Sequence, residues 1–196
     1  MKRLILPLDL LTYPEQDLKY MEQQGFEEIL TKNLQPEVLI GPLLGSSYKR
    51  KSLDEEVPHY FDCTSLSKWY FSHFGINLSR FVLNQASLGN SVSEDSLAAC
   101  DLVFIRRNVS QFSYFDHVGV AKNSRFIYHA SNSSGVTETS FRDFRSLTNH
   151  PIRIRRLLPS NYKVLEVPPN NLYTFLSGQV LVVSRILQEN IHTASP

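Results

Sequence analysis

One cysteine and two histidines in this 196-residue chain are placed where they could do chemistry together. Cys63 follows Asp62 at the head of a run in which Leu66, Trp69, Tyr70 and Phe74 recur at helical intervals and Gly75 closes the run. Asp62 therefore reads as a helix N-cap and Gly75 as the stop. A cysteine in the first helical turn faces the positive end of the macrodipole and unpaired N–H groups, both of which favour thiolate over thiol. Taken singly, such a cysteine serves equally well as a small buried hydrophobe. His117 and His129 flank a hairpin whose turn is Ala121-Lys122-Asn123-Ser124, and the midpoint between them is residue 123. On a symmetric hairpin they stand opposite one another, on one face, with Cβ atoms roughly 4.5–5.5 Å apart. With that face packed over the start of the Cys63 helix, the three form a nucleophile, a base and an orienter of the base. That is the logic of a catalytic triad with histidine in place of Asp or Asn.

A metal site is the rival chemistry for the same residues, because zinc accepts Cys and His ligands. No HExxH and no closely spaced ligand pair supports it, and His59, His73, His150 and His192 lack comparable surroundings. Cys100 is the only other thiol and makes no CxxC pair with Cys63, so a reactive lone thiol fits better than a disulfide or redox couple.

Strands are expected at 102–106, 117–121 and 125–130, with a fourth at 152–158 where apolar and basic residues alternate. Ahead of the cysteine, Pro14 opens a helix expected over 15–30, followed by an apolar run at 38–44, the flexible Gly45-Ser46-Ser47 and a charged loop at 49–58. These elements predict an α+β domain over 36–158, the cysteine helix packed on an antiparallel sheet, with a helical extension at 1–35 and a C-terminal extension at 159–196.

With 20 Lys+Arg against 19 Asp+Glu, the formal net charge of +1 names no nucleic acid or membrane as partner. The opening Met1-Lys2-Arg3-Leu4-Ile5-Leu6 imitates a signal peptide, but Pro7 and Asp9 break the apolar run. The most apolar later stretch, 175–187, contains Gly178, Gln179 and Arg185 and is too short to span a bilayer. The expectation is a protein that is cytoplasmic by default, with export by another route left open.

Several separate pieces in order resemble the NlpC-type papain-like cysteine endopeptidases, a family of bacterial cell-wall enzymes: Gly45-Ser-Ser-Tyr48, Phe61-Asp62-Cys63-Thr64, then Gly75-Ile76 with Arg80, Gln85 and Gly89, Asp101-Leu-Val-Phe104, His117-Val-Gly-Val120 and Phe126-Ile-Tyr-His129-Ala-Ser131. The resemblance implies that Cys63 attacks an amide carbonyl, His117 shuttles protons and His129 orients His117, through a thioester and without a cofactor. Tyr48 either faces the oxyanion or packs on the loop at 49–58. Asp62 caps the helix and, by the resemblance, also lines the substrate cleft. Thr64, expected with Tyr48 and Asp62 among the oxyanion- and substrate-binding residues, stands where the family has Ser, so its added methyl narrows the cleft beside the nucleophile, and Ser65 stands where Gly is common. Cys100 replaces a Gly, and the family's Trp-Gly-Gly sequence before the nucleophile is missing, so substrate specificity is less determined than the trio.

The implied substrate is a peptide or muropeptide, cut between D-glutamate and the diamino acid of the peptidoglycan stem. Alternatives are an amidase or acyltransferase acting on a non-wall amide and a catalytically silent module that only binds. Oligomeric state is left open.

Overall fold

The structure, a computed structural model, describes residues 2–107 and 115–169. The strands are β1 (Lys2–Pro7), β2 (Glu27–Ile29), β3 (Ser47–Tyr48), β4 (Tyr60–Phe61), β5 (Asn90–Val92), β6 (Leu102–Ile105), β7 (His117–Ala121), β8 (Phe126–Ser131), β9 (Gly135–Ser140), β10 (Arg153–Arg156) and β11 (Tyr162–Val167). The α-helices are α1 (Pro14–Gln23), α2 (Pro36–Leu39), α3 (Cys63–Ser72), α4 (Val82–Ala86) and α5 (Phe141–Ser146).

A six-stranded antiparallel sheet in the order β5-β10-β6-β7-β8-β9 forms the centre of an α+β fold. Side chains alternate between its two faces, as the strand period requires. On one face, α3 lays Leu66, Tyr70 and Phe71 against Val118, Val120, Tyr128 and Ala130. On the other, Phe144 of α5 joins Val103, Ile105, Ala121, Ile127 and Ile154. Each such large side chain contributes about 1.5–3 kcal/mol by leaving water, and the two layers together hold β7 and β8 from both sides.

The segment before residue 36 differs from the single helix expected there. The helix α1 stops at Gln23, Gly25 takes a positive φ, and the chain returns as β2. The charged opening of the sequence is strand β1, paired with β11, which in turn pairs with β2. Leu4, Leu6, Met21, Phe26 and Leu165 pack beneath this three-stranded sheet.

Strands β5 and β9 lie in stretches whose polar composition gave no strand signal, and the strand expected at 152–158 is shorter, at 153–156. The apolar run at 175–187 lies outside the described residues. Among those described, no helix is long and apolar enough to cross a membrane.

Candidate active site

Helix α3 begins where the sequence places it. The Asp62 carboxylate accepts the Ser65 N–H at 2.8 Å, and the Ser65 hydroxyl accepts the Asp62 N–H at 2.9 Å, a closed capping box. The same Oδ1 of Asp62 accepts the Thr64 hydroxyl at 2.8 Å, while Oδ2 meets Nη2 of Arg80 at 2.7 Å. Both Asp62 oxygens are thus engaged inside the protein, and Thr64 turns into the cap. Arg80 is tied to the Ser52 carbonyl as well. The outcome is a rigid helix start that holds Cys63 at its first position.

The two histidines stand on the sheet, in a register two residues from the symmetric one. The ladder pairs Val120 with Tyr128 and Ala121 with Ile127, so the hairpin is centred on residue 124. Its turn is set by the Asn123 side chain, whose Oδ1 accepts the N–H groups of Arg125 at 2.8 Å and Phe126 at 3.1 Å. A shift of two preserves the face, so His117 and His129 still share one side of the sheet. Nε2 of His117 lies 3.0 Å from Nδ1 of His129, and Nε2 of His129 lies 2.9 Å from the Thr139 hydroxyl.

The face they share is not the one that α3 covers. Phe144 packs on both rings, at centroid distances of 5.6 Å and 5.0 Å. Gly119 between them admits that packing: a Cβ there would lie 2.3 Å from Ile127 Cγ2 and 3.2 Å from Phe144 Cζ. Cys63 meets strand β7 at its backbone. In an antiparallel strand the N–H groups of alternate residues face opposite neighbours. Ala121 donates to Asp101 beside β6, so the even residues Val118 and Val120 turn toward β8. The β7–β8 ladder stops at Val120, and the Val118 N–H is directed at the Cys63 thiol instead. The sulfur therefore sits in the slot between β7 and β8, at the amide next to His117. Nδ1 of His117 is buried with no hydrogen-bond partner among the described residues.

Burial, and then the Asp62 carboxylate, push the Cys63 thiol up to about 11, against the pull of the Val118 N–H, Arg107 and the Thr64 N–H. The helix end alone does not ionise the sulfur, because burial and the adjacent carboxylate outweigh it. Burial also holds His117 well below its ordinary 6.5, with Arg107 and His129 adding to the effect. Burial and Arg107 bring His129 down to about 4. Each of these shifts favours the neutral form of its group, as low-dielectric surroundings do.

Tyr48 is brought to the same place. Strand β3 runs parallel to β4 with Tyr48 beside Phe61, and the Gly45 N–H and Val136 N–H tie this segment to β9 at 2.8 Å and 2.9 Å. Gly135 makes that approach possible, since a Cβ there would lie 2.1 Å from the Ser46 carbonyl oxygen. Burial, then the charges of Cys63 and Asp62, raise the Tyr48 phenol.

Tyr48, Asp62 and Cys63 thus stand together, with Cys63 at the amide next to a His117 that is paired with His129, whereas the Thr64 hydroxyl is spent on the cap. Sequence reasoning missed Thr139, Phe144, the Val118 amide and Arg107; a polar strand and an amide have no signature of their own. Cys63 and Cys100 are both free, and Cys100 accepts the Tyr70 hydroxyl at 3.0 Å. Among the described residues, no group of three His, Cys, Asp or Glu side chains is arranged to hold a metal ion.

Comparison with known proteins agrees with this architecture. Residues 45–155, more than half of the chain, match the sequence profile described as the NlpC/P60 family. A probable endopeptidase NlpC homolog of Haemophilus influenzae is 38% identical over 80 residues, 40% of this chain and 40% of that protein. The murein DD-endopeptidase MepS/murein LD-carboxypeptidase of Escherichia coli is 34% identical over 83 residues, 42% of each. The chain thus spans less than half the length of these curated relatives. Among solved structures, NlpC1 from Trichomonas vaginalis superposes with a TM-score of 0.55 at 22% identity, over 64% of this chain and 44% of that one, a likeness of fold. With the profile covering the slot, the cap and both histidines, the chain belongs to the NlpC/P60 family.

Proposed function

We propose that the protein is a cysteine peptidase that hydrolyses an amide bond through a thioester, with Cys63 as nucleophile, His117 as base and His129 as the group that orients the base. The observation that carries this reading is the Cys63 sulfur at the Val118 amide, beside a His117 ring whose Nε2 is held by His129 and whose Nδ1 is unpartnered among the described residues. Family membership and relatives named as endopeptidases support it.

As the sulfur approaches a carbonyl carbon, Nδ1 of His117 takes the thiol proton, and the new C–S bond leaves a negative oxygen. The Tyr48 phenol and the Cys63 N–H stabilise it in this reading, each worth roughly 3 kcal/mol in such a role. His117 then gives the proton to the leaving amine as the C–N bond breaks. Water, deprotonated by the same ring, releases the acyl group as a carboxylate and restores the thiol. Neutral starting groups suit this sequence, because no charge is separated in the buried slot until substrate supplies the oxyanion.

The substrate we propose is the peptidoglycan stem peptide, cut between D-glutamate and the diamino acid. Digestion of purified muropeptides by the wild type and Cys63→Ala, read by mass spectrometry, tests both claims. Cleavage by the wild type alone supports them. Cleavage by both variants overturns the nucleophile, and cleavage by neither overturns the wall substrate, leaving an acylated amine outside the wall as the second class to try.

A further inference from the structure

We propose that Thr139 is a positioning residue for this site: its hydroxyl accepts the Nε2–H of His129 and so fixes both imidazoles in the tautomers that leave Nδ1 of His117 open to the Cys63 proton. The inference rests on the reading of Cys63 and His117 as nucleophile and base, and adds a fourth member to their chain of contacts.

The placement follows from the strand register. β8 and β9 pair His129 with Thr137 and Ile127 with Thr139, so Thr139 lies diagonally from His129 on the same face. Its Oγ1 is 2.9 Å from Nε2 of His129, whose Nδ1 is 3.0 Å from Nε2 of His117.

Two neutral imidazoles joined by one hydrogen bond have two proton arrangements. In the first, His117 carries its proton on Nε2 and donates it to Nδ1 of His129, which carries its own proton on Nε2. Nδ1 of His117 then presents a lone pair. In the second, His129 donates from Nδ1, and the His117 proton sits on Nδ1, where it blocks transfer from sulfur. The first arrangement needs an acceptor at Nε2 of His129. Thr139 is partly exposed, so its own O–H proton can turn to water while its lone pair accepts. Replacing it by Val leaves a ring N–H without a partner in a mostly buried place, which drives the pair into the blocked arrangement.

Nitrogen-15 NMR of the histidine rings reads the tautomers directly, and the rate of Cys63 alkylation by iodoacetamide reads their consequence without a substrate. The expected result is a wild-type His129 protonated on Nε2. Thr139→Val moves that proton to Nδ1 and slows alkylation about five- to tenfold, and Thr139→Ser restores both. The proposal is overturned if wild-type His129 is protonated on Nδ1, or if Thr139→Val keeps either the tautomer or the alkylation rate of the wild type. Should the Val variant not fold, the wild-type spectrum still decides. An unreactive Cys63 in a wild type with the expected tautomer would overturn the nucleophile reading instead, so the two failures are distinguishable.

Discussion

Val118 turns its backbone N–H to the Cys63 sulfur rather than to strand β8. The relationship joins the two faces of the sheet, since Cys63 comes from the helix on one side and His117 belongs to the layer on the other. An opened ladder, rather than a helix stacked over two histidines, is what brings the thiol to the amide next to His117.

The charge of Asp62 works against ionisation of Cys63 while its hydrogen bonds hold the helix start. Asp62→Asn keeps an acceptor for the Ser65 N–H and removes the charge, so the Cys63 pKa should fall from about 11, as read by ultraviolet thiolate absorbance against pH. Arg80→Met removes the partner of a mostly buried carboxylate and should cost about 2–3 kcal/mol in urea unfolding, less than a fully buried pair because Arg80 is partly solvated. An unchanged thiol titration in the Asn variant would contradict this account of the sulfur's environment.

Gly119 has no room for a methyl group, with Ile127 Cγ2 at 2.3 Å and the Tyr128 carbonyl oxygen at 3.1 Å from the Cβ position. Gly119→Ala is expected to destabilise the fold by about 1–3 kcal/mol. It should also slow alkylation of Cys63, because β7 must shift under His117. Equilibrium unfolding and the alkylation rate check the two parts separately.

Stability should fall with acidification in a window set by the histidines. Below 6.5 the unfolded chain binds protons at positions 117 and 129 while the folded chain, with both held lower, does not. The share from His129 grows as pH drops toward about 4, where it reaches about 3 kcal/mol. Urea unfolding of the wild type and His129→Asn on both sides of this window measures it, and equal pH dependence in the two would count against a buried neutral His129.

The reading from sequence went furthest where a residue type carries its own instruction. Asp62 before an apolar helical run and Gly75 after it define α3 through capping chemistry, and the strand-like run from His117 to Ala121 is β7. The hairpin register was off by two because Asn123 recruits the Arg125 and Phe126 amides, a local bond that spacing does not reveal. The face on which α3 packs depends on Phe144, which is distant in sequence and has no motif. Thr139 was hidden for a related reason: β9 is polar, and its value to the site arises only once His129 lies across from it. Burial and Asp62 oppose the helix end in setting the thiol's titration, a balance that appears only when the surroundings are assembled.

The most direct measurement of the central claim is the alkylation rate of Cys63 against pH in wild type and His117→Ala. If Nδ1 of His117 accepts the thiol proton, the wild type reacts near neutrality faster than a thiol titrating at about 11 could by itself, and loses that advantage only below 6.5, as the imidazole protonates. The variant should then react at least about tenfold more slowly at neutral pH and climb in a single titration toward about 11. Equal rates in the two proteins across the neutral range would contradict the pairing of Cys63 with His117.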